Sequence, residues 1–259
     1  VVDPKTLTGF EKTALIAFVS VTAHFLLLTI FTKTAIKDSL SRGAFIQGCF
    51  RSNYALIGVP LAINLFGQEG AVKSSIILAV VLPLFIVYSV IILSINNGTG
   101  EKSKVSEILL KIVKNPYIIA VFLGLLFSFS SLRVPNFLGK TMDYMANIAT
   151  PLALLTIGAF LNTASMKSNF KLALSASLIK TVLVPLVSLP VSILAGLRNA
   201  DLGVLFILYT SPAAVSSFIM AKGMKSDASL AANIIVISTA ISCFTVFIGV
   251  LILKNLGFI

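Results

Sequence analysis

The chain has 259 residues, 57% of them apolar and only 11% charged, with no Trp and a mean hydropathy of +1.03. An ordinary soluble domain carries roughly a quarter charged residues, so composition excludes that class and assigns an integral membrane protein. The formal net charge of +11 then reads as membrane topology rather than as a nucleic-acid surface, because basic residues gather beside spans on the cytoplasmic side.

Charge-poor runs of about 20 residues predict helical spans, and eight are found, over 13–32, 44–66, 74–95, 115–132, 144–166, 172–197, 202–221 and 228–253. Runs such as SSIILAVVLPLFIVYSVIILSI lack the alternation of a barrel strand, so the expected fold class is all-α and polytopic. Val1 to Lys12 has neither the charged head nor the apolar core of a signal peptide, and with Val first the chain is expected to continue upstream. The first span is apolar apart from hydroxyls and His24, which reads as a neutral packing residue. Lys33, Lys37 and Arg42 fill a short turn.

The second span is interrupted. Its stretch RSNYALIGVPLAINLF, 51–66, carries Arg51 and Asn53, and Gly58-Val59-Pro60 removes a backbone donor near mid-span and pushes Val59 from helical angles. Such a break survives only against protein or a wet cavity. Gly67 to Gly70 predicts an outer turn, and Pro83 a kink in the third span. Asn96 to Lys114, NNGTGEKSK followed by the amphipathic SEILLKIV, is the longest hydrophilic stretch and is expected to be a cytoplasmic linker between two halves. The fourth span opens at Asn115-Pro116, where proline does no harm. A loop with Arg133, Pro135 and Lys140 leads to the fifth, whose Ala149, Ala153, Gly158 and Ala159 suit close packing. The sixth holds Lys180, Pro185 and Pro190. The seventh repeats the interruption in YTSPAAVSSFIMAKG, 209–223, at Ser211-Pro212, and the eighth is intact.

Alternating the loops puts Lys33, Lys37, Arg42, Lys102, Lys104, Lys111, Lys114, Lys167, Lys171, Lys222 and Lys225 on one face. Lys5, Lys12, Lys73, Arg133, Lys140, Arg198 and Lys254 fall on the other. The more basic face is assigned to the cytoplasm, which leaves both ends of the given chain outside. Spans one to three and six to eight each run intact, broken, intact, and start on opposite sides, the pattern of an inverted repeat. Cys49 and Cys243 fall within spans, make no disulfide framework and read as buried small hydrophobes. With no metal-ligand spacing and no nucleophile elbow, the residues support neither an enzyme nor a cofactor.

If Pro60 and Pro212 begin the second halves of their helices, two positive helix ends converge at the midplane, and Ser211 caps one of them. That is an anion site. Arg51 and Lys180 add charge, and no Asp or Glu occurs in any span to pair with them. Snorkelling to the cytoplasmic surface competes for both; it weighs equally for Arg51, while for Lys180, deeper and flanked by Ile179 and Thr181, a cavity role is favoured. Candidate substrate-binding residues are thus Arg51, Asn53, Gly58, Pro60, Lys180, Ser211, Pro212, Ala213 and Ser216. Ser217 and Asn233 could add hydrogen bonds, with helix–helix contacts as the competing role for each neutral residue.

RSNYALIGVPLAINLFG, NPYIIAVFLGLL, ATPLALLTIGAFL and SPAAVSSFIMAKG with the following DASLAANIIVIST resemble the auxin efflux carrier family, in the bacterial branch that includes malate and malonate permeases. The resemblance covers nearly the whole chain. It implies ten helices in two inverted repeats of five, related to the bile acid sodium symporter fold, with the fourth and ninth broken and crossed; eight spans here imply that the first two family helices precede Val1. It further implies that 13–95 and 172–253 form the two halves of a transport domain, joined through the linker 96–114, and that 115–166 supplies scaffold helices and a homodimer interface. The family's crossover prolines map onto Pro60 and Pro212. The function so implied is a secondary carrier of a small organic anion, a mono- or dicarboxylate, moving a crossover domain against a scaffold, elevator fashion, in the cell (inner or plasma) membrane. An anion channel and a membrane-embedded ligand sensor are the rivals. Sodium on carbonyls freed at the breaks, or a proton on His24, stand as unsupported options for a coupling ion.

Overall fold

The computed structural model describes residues 10–96, 105–129, 135–160 and 163–259. Among them the regular elements are helices: α1 (Phe10–Ala35), α2 (Ser39–Phe50), α3 (Val59–Ile95), α4 (Val105–Val113), α5 (Pro116–Phe129), α6 (Asn136–Phe160), α7 (Thr163–Leu178), α8 (Val184–Leu194), α9 (Asn199–Thr210), α10 (Ser216–Gly223) and α11 (Ala228–Asn255). Single π-helical turns, Tyr54–Gly58 and Ile179–Leu183, run directly into α3 and α8. Among the described residues four helical stretches are long and apolar enough to cross a bilayer, Glu11–Ala35, Tyr54–Ile95, Lys167–Leu194 and Ala228–Asn255, and the protein is a multi-pass membrane protein. Of the expected linker, residues 97–104 lie outside the described residues, as does the loop position Arg133.

Tyr54–Ile95 has 42 residues, roughly 63 Å of helix at 1.5 Å per residue, twice the hydrocarbon core. Gly67 divides it. Its φ of 58° and ψ of −136° are open to a residue without Cβ and closed to most others. Three residues on, a Cβ at Gly70 would collide with the Ala62 carbonyl, so the chain has reversed. The turn expected at Gly67 to Gly70 is therefore present, and it folds one apolar run into two arms.

The interruption in the second span lies elsewhere than expected. α2 stops at Phe50, Arg51 and Asn53 leave helical angles (φ −83°, ψ 113°; φ −78°, ψ 45°), and Pro60 sits inside the first turn of α3. The reason is the π turn before it: the Val59 NH bonds back to the Tyr54 carbonyl, a wider ring that leaves the proline no i−4 partner to displace. Pro185 uses the same device, with the Val184 NH on the Ile179 carbonyl. Pro83, Pro151 and Pro190 lie inside helices.

Two buried cores flank α2. Ile46 and Phe50 join Phe25, Phe85, Ile77 and Leu205 on one side; Phe45 and Cys49 join an alanine-rich cluster of Ala173, Ala176, Ala231 and Phe218 on the other. Phe25 stacks on Tyr88 with ring centroids 4.4 Å apart. Small residues in the second core let α7 and α11 lie close along their lengths. Cys243, expected to be buried, is exposed on α11, on a face that also exposes Phe244 and Phe247; only Cys49 packs as a small hydrophobe.

Polar contacts tie the turns together at each end. Asp38 caps α2 by accepting from the Ser41 NH at 2.8 Å, and its contact with Ser41 holds its carboxyl below the usual carboxylate range. Asp227 caps α11 on the Leu230 NH and also accepts from the Ser41 hydroxyl at 2.8 Å. Lys73 pairs with Glu69 at 2.7 Å and Asp201 at 2.6 Å. Each tie joins loops that the alternation of spans puts on one side. Gly70→Val is expected to force the reversal open, costing about 2 kcal/mol as other overpacked sites do, and to lower the Tm of the purified protein by several degrees in a fluorescence thermal-shift measurement; an unchanged Tm would show that the arms tolerate separation.

Candidate functional site

Where α2 and α9 end, the chain runs extended in both places, and the two segments lie against each other. Ser52 bridges Ala213 in antiparallel sense: the Asn53 NH donates to the Pro212 carbonyl at 2.8 Å and the Ala214 NH to the Arg51 carbonyl at 3.3 Å. At membrane depth no water is present to satisfy such groups, so each break becomes the other's partner. The Ala213 NH is taken by the Ser238 hydroxyl of α11 at 3.1 Å. The Ser211 hydroxyl donates back to the Ile207 carbonyl at 2.6 Å, closing α9, where a cap on the following half-helix was expected.

Arg51 is 3% exposed. Its Nη2 donates to the Ser216 hydroxyl at 2.8 Å, and its Nη1 reaches the Ser89 hydroxyl at 3.4 Å and the Met220 sulfur. Ser216 is the first residue of α10, so a buried guanidinium sits at the positive end of that helix. The two repel each other, and both favour a negative group beside them. Such a place exists: a cleft of about 130 Å³ lined by Arg51, Ser52, Asn53, Tyr54, Ala214 and Ser216, walled by Leu78, Leu82 and Phe85. Tyr54 is fixed by its hydroxyl on the Val204 carbonyl at 3.2 Å. The Ser52 hydroxyl is buried and has no hydrogen-bond partner among the described residues, and the same holds for Ser217.

Lys180, in the π turn ahead of α8, is 2% exposed and donates to the Leu208 carbonyl at 3.3 Å and the Tyr209 carbonyl at 2.9 Å. It thus serves the C-terminal end of α9 and does not line the cleft. Of the residues predicted from sequence, Arg51, Asn53 and Ser216 meet at the cleft, and Ser211, Pro212 and Ala213 build the crossing behind it. Gly58 closes the π turn against the Tyr54 ring, and Pro60 is exposed on α3, so neither reaches the cleft. Sequence reasoning missed Ser52, which stands between two residues it flagged, and Ser89, Ser238 and Met220, whose side chains look like ordinary span residues until the helices are assembled. His24 bonds to the Ser188 hydroxyl at 2.8 Å, as a packing residue would.

Residues 5–249 match the family model described as membrane transport protein. An uncharacterized transporter of Methanocaldococcus jannaschii is 25% identical over 242 residues, covering 92% of this chain and 76% of that protein. One from Methanothermobacter thermautotrophicus is 24% identical over 190 residues, 73% of this chain and 61% of its own. Auxin efflux carrier component 5 of Arabidopsis thaliana is 27% identical over 209 residues, 67% of this chain and 60% of its own. The chain therefore spans less than two thirds of the length of the last two.

The crossing itself is testable through Ser238. Ser238→Ala strands the buried Ala213 NH and is expected to destabilise the protein by about 1–3 kcal/mol, read as a lower Tm, whereas Ser242→Ala, whose hydroxyl bonds within its own helix, is expected to leave Tm nearly unchanged.

Proposed function

Because the chain belongs to the membrane transport protein family, the family of the auxin efflux carriers, we propose that it is a secondary carrier of a small organic anion, a mono- or dicarboxylate. The observation that carries this reading is Arg51: a buried guanidinium placed on Ser216 at the positive end of α10 and opening on a small cleft. A carboxylate there accepts from the guanidinium, from the free Ser52 hydroxyl and from the Asn53 amide, and it relieves the repulsion between the cation and the helix end. The cleft is too small for a large ligand; α3 walls it on one side through Leu78, Leu82 and Phe85, and the exposed Ala55 and Leu56 line its open side.

Alternating access to that site, with α3 and the crossing shifting relative to each other, completes the proposed cycle. On this reading 13–95 and 172–253 form the moving unit, built as an inverted repeat within eight spans, and 115–166 forms a scaffold through which two copies pair. Apolar side chains exposed on α6, such as Phe137, Met145 and Leu155, support a lipid- or partner-facing role for it. The protein sits in the cell membrane with 96–114 on the cytoplasmic side. A channel with the same site would pass anions without saturation or exchange stimulation, and a sensor would bind without net flux.

The full-length protein reconstituted in proteoliposomes is expected to take up radiolabelled malonate or malate saturably and faster against internal carboxylate. Arg51→Ala removes a charge-assisted hydrogen bond worth about 1.5–3 kcal/mol and is expected to cut uptake at limiting substrate roughly 10- to 100-fold, with Arg51→Lys intermediate because an ammonium lacks the planar fork. Undiminished uptake by Arg51→Ala overturns the assignment.

A further inference from the structure

The end of α9 poses a separate problem in backbone chemistry. In a continuous helix the residue-212 NH would bond to the Leu208 carbonyl and the residue-213 NH to the Tyr209 carbonyl. Pro212 has no NH, and the Ala213 NH is committed to Ser238. Two carbonyls are thus released together, at the negative end of a helix, in the middle of the protein and out of reach of water. In carriers built on interrupted helices, freed carbonyls and half-helix C-terminal ends of this kind coordinate a coupling cation.

Here the position is filled from within the chain. The Lys180 Nζ lies 3.3 Å from the Leu208 oxygen and 2.9 Å from the Tyr209 oxygen, on a side chain only 2% exposed. Among the described residues no carboxylate pairs with it. The ammonium is held by helix-end carbonyls alone, as a bound metal cation would be. Its delivery also has a structural cause: Lys180 lies in the π turn Ile179–Leu183, a local widening of the helix of a kind found often at functional positions.

We propose that Lys180 is a tethered cation occupying the place of a coupling sodium at the C-terminal end of α9, so that this protein binds no sodium there, and that removing the side chain opens a site for a small monovalent cation. Lys180 does not line the Arg51 cleft, and the inference stands whichever anion is carried. Methylammonium, which restores an N–H donor group in the space the lysine leaves, is the best-fitting occupant; sodium is the next, and choline, with no N–H and a larger head, does not fit.

The test uses purified full-length protein and two readouts that involve no anion: binding of 22Na+ and Tm in sodium, methylammonium or choline chloride. The wild type is expected to bind no 22Na+ saturably and to show the same Tm in all three salts. Lys180→Ala is expected to melt roughly 5 °C lower in choline, a shift of the size that losing a buried polar contact gives in a protein of this length, and to recover saturably in methylammonium and in part in sodium. Lys180→Met, which refills the stem's volume without a donor, is expected to melt low in every salt. If Lys180→Ala does not survive purification in choline, it is prepared with methylammonium throughout, and withdrawal of the ion is expected to lower Tm. Saturable 22Na+ binding or a sodium-dependent Tm in the wild type overturns the proposal, and so does a Lys180→Ala protein that responds to none of the small cations. Loss of carboxylate uptake would bear on the Arg51 site and leave these readouts unmoved.

Discussion

Everything at the centre of this protein follows from one constraint, that a helix broken inside a bilayer must find partners for its backbone within the protein. Two breaks solve the problem for each other. The extended residues Arg51 to Asn53 and Pro212 to Ala214 exchange two hydrogen bonds across the Ser52–Ala213 bridge, a two-residue piece of sheet in an otherwise helical structure. What the bridge leaves over is met by side chains of neighbouring segments, Ser238 for the Ala213 NH and Lys180 for the Leu208 and Tyr209 carbonyls.

The two buried cations belong to opposite ends of this arrangement, and the helix dipole separates their roles. Lys180 lies at the carbonyl end of α9, where a positive charge lowers the energy of the fold. Arg51 lies at the amide end of α10, where a positive charge raises it. Stabilisation explains the first cation without any ligand; for the second, the anion proposed above is what would offset the cost. Desolvated charge is costly enough that a chain retains it only where a gain offsets the loss, and the gain differs at the two ends.

Much of this was legible in the sequence. The helical class, the Gly67 reversal, the break at Ser211-Pro212 and the prominence of Arg51, Asn53 and Ser216 all follow from residue chemistry that acts locally: a missing NH, a missing Cβ, a charge in an apolar run. The position of the first break was not legible, because a π turn absorbs Pro60 and no residue type announces a π turn. Nor was the task of Lys180. Depth and lack of an acidic neighbour pointed it toward a cavity, but the carbonyls that receive it come from a helix about thirty residues away and are free because Pro212 has no NH and Ser238 takes that of Ala213. The same holds for Ser89 and Ser238, ordinary hydroxyls whose use depends on which helix faces them.

The bridge also limits how the protein can move. Because α2 and α9 are joined through backbone hydrogen bonds at their broken ends, and α2 is buried on both sides by the two cores, neither interrupted helix can shift without the other. Separating them would expose several amide groups to hydrocarbon at once. The boundary with α6 is of another kind. Its buried side chains among the described residues, Ala153 and Ile157, are small or aliphatic and meet the apolar cluster around Phe218. An apolar contact has little directionality and can be traded for a similar one a turn away. In the proposed transport cycle, then, the crossing travels as one rigid body, its anion held on Arg51, and the sliding surface is the face that α10 and α11 turn toward α6.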